Sequence, residues 1–303
     1  MIIDVSLHRV RNIRAVANAP RVPHAAGFQV AFLRPESICG GMDPFLQVDA
    51  FALAEPVFAP HPHAGFNAVT YILPESAIGF INRDSLGTRN RIAPGALHWT
   101  MAGHGVLHEE VPELRGTAAL GLQIFINLPS GMKHAAPLAI HAEPSDIPVI
   151  ERDGTTIRAV IGESNGIASP VTPPTPGVRL IDVTLTEDSM FEQVLGPLDN
   201  VFLWIFAGAA TAVTASGDIA LYSFDLVGYQ SDGDRVRLRG GPGGARLVLF
   251  AGPPLDEPIA ARGPFVMATA ADLDDAFARY RSGRMGMLVP TSYGPDRRPT
   301  NPG

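Results

Sequence analysis

The sequence predicts an all-β protein: two β units in tandem and a single helix near the C-terminus. Three observations predict it. Glycine and proline are abundant, 31 and 28 in 303 residues, so turns should be frequent and long helices scarce. Short apolar or alternating segments recur at strand length, separated by Gly, Pro, Asn and Asp. Near the middle, residues 162–177 are rich in Pro, Gly, Ser and Thr, and no helix can pass through them.

In chain order, Gly27 to Leu33, Ala68 to Leu73 and Gly121 to Leu128 read as strands of a first unit, residues 1–135. Asp84 to Gly87 and Ala93-Pro94-Gly95 supply turns. Residues 136–177 read as the connection. Val178 to Leu185, Asn200 to Ala207 and Ala245 to Ala251 then read as strands of a second unit, 178–288, with Gly240 to Gly244 as a hairpin turn. The helix is predicted over 270–282. Thr269 can cap it, and Asp272 completes an approximate capping box. Leu273, Ala276, Phe277 and Tyr280 form an apolar stripe, and Gly283 can stop it. Residues 289–303 form a polar, proline-rich tail.

The net charge of −7 does not favour phosphate backbones, so direct nucleic-acid binding is not expected. The one cysteine, Cys39, can form no intrachain disulfide and reads as a small buried residue in a reducing compartment. The N-terminus has no apolar core of a secretory signal, and no apolar run is long enough to span a bilayer as a helix. A cytoplasmic protein is expected.

All nine histidines lie between residues 8 and 141, so any histidine-based site belongs to the first unit. Two stretches stand out, His61-Pro62-His63 and His108-Glu109-Glu110. Side chains at i and i+2 of a strand share a face. His61 and His63 would point one way; so would His108 and Glu110, with Glu109 opposite. On neighbouring strands the two pairs set three imidazoles and a carboxylate around one point. That donor set suits one first-row transition-metal ion, and iron, manganese, zinc, copper and nickel would all accept it. His104, between two glycines, could line the mouth of a pocket, though a turn or loop role is the reading its flanking glycines favour. Of His98 and Trp99 on one strand, Trp99 is expected to face the interior. His8, His24, His134 and His141 read as surface or satisfied polar residues. No phosphate loop, dinucleotide fingerprint or nucleophile elbow is present.

With these residues assembled, the chain resembles the pirins. The matching segments are 59–66 with Val69-Thr70-Tyr71, Arg83 to Gly87, Pro94-Gly95 with Trp99, Ala102 to Glu110 and Gly121 to Pro129. Further on, Ser169 to Val171, Pro254 to Ile259 and Gly263 to Met267 match as well. The resemblance implies a bicupin, two tandem cupin-type β-barrels with a metal site in the N-terminal one only. It implies His61, His63, His108 and Glu110 as ligands and iron(II) as the usual metal. Some members resemble quercetinases; others act as redox-responsive partners of transcription factors or metabolic enzymes. The chain departs from the family at Ala64, where arginine is usual, at His98, where glutamine is usual, and in the order Trp99-Thr100-Met101.

The expected function is therefore an Fe(II)-dependent dioxygenase opening a flavonol-like or other phenolic or enolic substrate with O₂. Glu110 would serve as ligand and base together. Ala64, Phe66, His98, Trp99, His104, Gln123 and Phe125 would form the substrate pocket. The alternative is an iron-loaded, non-catalytic redox regulator that binds a protein partner; a cupin-type isomerase or hydrolase is a third reading.

Overall fold

The computed structural model describes residues 9–291. His8 and residues 292–303 of the expected tail lie outside that range. Strands dominate the described chain, and the one α-helix is Ala270–Arg281. Thr269 caps it: its hydroxyl accepts from Asp272 N at 3.2 Å, and Asp272 accepts in return from Thr269 N at 3.1 Å. Gly283 follows at φ 72°, the left-handed stop a helix end favours. Leu273 and Ala276 are buried, while Tyr280, from the same predicted stripe, is 42% exposed.

The chain divides into two compact units that do not follow chain order. Of the described residues, one takes Pro20–Phe32, Phe45–Ser145 and residues 255–291; the other takes residues 9–19, Leu33–Pro44 and Asp146–Pro254. The expected linear division, 1–135 and 178–288 about a connection at 136–177, differs from this at both ends. The strand Ile13–Asn18 pairs antiparallel with Asp225–Tyr229. Ahead of it the buried Arg11 guanidinium donates to the carbonyls of Asp199, Gly196 and Gly233 at 2.6–2.9 Å. The expected connection also contributes strands: Leu138–Ala142 pairs with Leu97–Met101, and Thr155–Ile161 with Arg179–Leu185. Such pairings join residues far apart in sequence, and local composition carries no signal for them.

The unit containing residues 146–254 is built on a nine-stranded sheet, Ile13–Asn18 included, around the long strands Asn200–Val213 and Arg235–Gly252. Gly240 to Gly244 is not a hairpin turn but the bend of one continuous strand. Gly243 and Gly244 hold φ 76° and 80°, and a Cβ on Gly240 would meet Thr186 O at 2.0 Å. Cys39 is exposed rather than buried, because it ends the 3-10 turn Pro35–Ile38 in the left-handed conformation, φ 58°. Among the described residues, no helix is long and apolar enough to cross a membrane.

Among the described residues the histidine-bearing unit holds two larger sheets and the two-stranded hairpin of Ala260–Arg262 and Phe265–Met267. The seven-stranded one runs Leu138–Ala142, Leu97–Met101, Phe66–Ile72, Ala119–Asn127, Phe45–Leu53, Phe28–Leu33, Val22–Ala25. The four-stranded one runs His61–His63, Val106–Pro112, Phe80–Asp84, Arg89–Ile92. A cavity of about 400 Å³ is lined by residues of both.

Candidate metal centre

His61–His63 is the edge strand of the four-stranded sheet, which is why a proline is tolerated at its centre. His61 and His63 share a face. The neighbouring strand runs antiparallel with His108 opposite His61 and Val106 opposite His63. His108 thereby joins the same face. Its Nε2 lies 3.1 Å from His61 Nε2, and the three ring centroids are 4.7–4.8 Å apart. One ligand atom from each ring lies within 4.8 Å of the others.

His61 Nδ1 sits 2.9 Å from the carbonyl of Ala59 and donates to it, leaving the Nε2 lone pair facing the cluster. Burial holds the rings neutral. His63 is pushed down to about 3, first by desolvation and then by His61. His61 and His108 are lowered for the same first reason. Three neutral, converging imidazoles fit a first-row transition metal.

Of the four expected ligands the structure gathers these three. Glu110 lines the same cavity, two residues beyond His108, but its carboxyl stands beside the cluster. Its Oε2 accepts the Thr70 hydroxyl at 2.6 Å. Burial pushes it up to about 7, with the Thr70 bond acting the other way. Glu109, on the opposite face, pairs with Arg83 and accepts from Thr291 N at 3.1 Å.

Of the expected pocket residues, Gln123 and Phe125 line the cavity. Phe66 lies behind them, its ring 4.6 Å from Phe125 and 5.0 Å from His63. Ala64 does not reach the cavity: adjacent to His63, it projects to the other face and packs with Phe265, Met267 and Leu273. His104 is held at the chain's turn by Arg279, which donates to its carbonyl at 3.1 Å and lies 3.0 Å from its Nδ1. On Leu97–Met101 Trp99 is buried as expected, but His98 is buried as well, so both faces of this strand are interior. His98 pairs with Thr70, and Thr70 with Gln123, so His98 shares their cavity-side face. Trp99 takes the opposite, equally buried face with Val69 and Ile124, its indole N–H donating to Asn67 Oδ1 at 2.9 Å.

The cavity has further walls that sequence reasoning missed. Phe28, Phe51, Phe58 and Phe80 make it apolar, and Gln47 and Asp49 bring polar groups. Gln47, Asp49, Phe51 and Leu53 alternate along one strand, a period-of-two signal legible in principle. Gly263 and Pro264 arrive from far along the chain and carry no such signal.

The buried rings predict acid lability of the metal-stripped protein. His98 is also pushed down to about 3, by burial and then by His141. An unfolded histidine titrates near 6.5. As pH falls from about 6.5 towards 3, the unfolded chain binds protons that the folded rings refuse, and stability falls. Each ring contributes up to about 1.4 kcal/mol per pH unit. Glu110 opposes this between about 7 and 4.5, because its folded form holds a proton that the unfolded form releases. Four lowered imidazoles outweigh one raised carboxyl. Urea midpoints should therefore drop between pH 7 and 5, and His98→Gln should flatten the drop without altering metal uptake.

Two β units, one carrying a three-histidine cavity and the other no histidine among its described residues, define a two-domain cupin. The pirin family model matches residues 29–126, and the pirin C-terminal cupin domain matches 180–286. The chain belongs to the pirin family. It is 36% identical over 250 residues to pirin-like protein 2 of Arabidopsis thaliana, covering 81% of this chain and 76% of that one. It is 33% identical over 252 residues to a Pseudomonas aeruginosa protein whose proposed activity is quercetin 2,3-dioxygenase, covering 80% and 86%. The crystal structure of quercetin 2,3-dioxygenase from Acinetobacter baumannii shares the fold, with a TM-score of 0.79 at 23% identity, over 92% of this chain and 100% of that one.

Proposed function

We propose that this protein is an Fe(II)-dependent dioxygenase acting on a flavonol-like or other phenolic or enolic aromatic substrate. One observation carries the reading: three converging, neutral imidazoles open into a phenylalanine-walled cavity of about 400 Å³ that also holds a buried carboxyl. The proposed activity of the Pseudomonas relative supports it. His61, His63 and His108 would hold the ion, with Glu110 the available fourth ligand. A bound divalent metal supplies Lewis acidity that favours the ionised, electron-rich form of a phenol or enol. The chain's own residues do the rest. The phenylalanines bury the ring system and exclude water. Glu110 is placed to accept the substrate's hydroxyl proton, and Thr70 holds that carboxyl in place. Gln123 offers an amide within the same cavity.

The test is oxygen uptake by iron(II)-loaded protein with a panel of flavonols and catechols. Uptake that is lost in Glu110→Gln, with iron still bound, is expected. Iron-loaded protein that consumes no O₂ with any member would overturn the oxygenase reading and favour an iron-binding regulator.

A further inference from the structure

Lys133 is fully buried, an uncommon place for an ammonium. It follows the 3-10 turn Ser130–Met132. Its Nζ donates to the carbonyl of Gly65 at 2.8 Å, to Asn127 Oδ1 at 2.6 Å and to the carbonyl of Val266 at 3.1 Å. Three acceptors match the three N–H groups of the ammonium, so the protein itself solvates the charge. Burial draws its pKa down to about 8, still above neutrality.

Two of those acceptors belong to segments that build the metal centre. Gly65 ends the segment carrying His61 and His63. Val266 belongs to the hairpin of Ala260–Arg262 and Phe265–Met267, whose turn, Gly263 and Pro264, lines the cavity. The two segments also meet directly: Val266 N donates to Ala64 O at 2.9 Å. A second tie comes from the same turn. Glu257 Oε2 accepts from Ser130 N at 2.5 Å and from Ser130 Oγ at 2.7 Å. One short turn thus grips the returning chain at two points and the ligand segment at a third.

We propose that Lys133 is a positioning residue of the metal centre: its ammonium latches the 260–267 hairpin onto the His61–Gly65 segment and so sets the ring of His63. The proposal rests on His61, His63 and His108 being metal ligands. Lys133 touches neither the ligand rings nor the cavity and acts only through the backbone it holds.

The full-length protein, stripped of metal, is titrated with cobalt(II) alongside Lys133→Met, which keeps the volume and removes the donors, and Glu257→Gln, which weakens the outer tie. Cobalt(II) should bind Lys133→Met about 10–100-fold more weakly, the scale for loss of an outer partner. Its visible d–d spectrum should change too, a readout that packing alone would not move. Glu257→Gln should show a smaller effect in the same direction. Wild-type affinity and spectrum in Lys133→Met overturn the latch. A wild-type protein that takes up no cobalt overturns the metal-centre reading, and the latch with it. If Lys133→Met does not fold, hydrogen exchange of the wild-type protein decides. Cobalt loading should slow exchange of the Val266 amide, and exchange unchanged by loading overturns the proposal.

Discussion

A His108→Ala variant is expected to lose stoichiometric metal binding altogether. His108 is the link between the two histidine-bearing strands, with its Nε2 3.1 Å from His61 Nε2 and its ring 4.7 Å from that of His63. Without it, two imidazoles of one short edge strand remain. Loss of an outer partner costs roughly 10–100-fold in affinity, and loss of a ligand should exceed that. Metal analysis after gel filtration checks the result, with circular dichroism to show that the fold persists. Iron retained at full stoichiometry would sink the assignment of the centre. His104→Ala, changed beside the Arg279 contact rather than in the cluster, should load as the wild type does.

The second large effect is expected from one added methyl group, Gly65→Ala. Gly65 holds φ 80°, a conformation that costs an alanine about 1–2 kcal/mol. Its new Cβ would fall 2.0 Å from the Val266 carbonyl and 2.5 Å from Met267 Sδ. Met267 can rotate; the carbonyl can only move with its hairpin. Such overpacking costs about 1–3 kcal/mol more. Together they predict a loss on the order of 3 kcal/mol, with weakened metal uptake, since the methyl pushes apart the ligand segment and the cavity's turn. Thermal unfolding and cobalt(II) titration of the same sample would check both parts. A midpoint within a degree of the wild type's would show that the close approach at Gly65 is not tight. Gly87→Ala, whose Cβ meets nothing within 4 Å but whose φ is 93°, isolates the conformational cost from the clash.

Much of this centre was legible because it depends on a period of two. His61 with His63, and His108 with Glu110, share faces in any strand, and the histidine-free second half of the chain localised the site. What needed the structure was register and partner. Whether His98 or Trp99 takes the cavity-side face turns on pairing with Thr70, which no local pattern encodes. Glu110 was legible as a residue of the inner face, but its bond to Thr70 comes from the other sheet. Ala64 read as a pocket residue because the pirin resemblance sets an arginine there, but its adjacency to His63 turns it to the far face. The strands and the capped helix were visible in outline, because turn residues and the Thr269–Asp272 pair act locally. The trade of terminal segments between the units was not, because it rests on contacts more than a hundred residues apart, such as those of Arg11 with Asp199 and Gly233.

That trade bears on how the protein is made. The ribosome releases His61, His63 and His108 early, but Gly263 and Pro264, which close the wall beside them, emerge only after the strands of the other unit. Domains usually fold in order during synthesis. Here a nascent chain holding the whole histidine trio still lacks one side of its cavity and the backbone that Lys133 grips. Lasting metal retention should therefore be a property of the finished chain, and nascent chains arrested before residue 260 should exchange their metal freely with the surrounding pool.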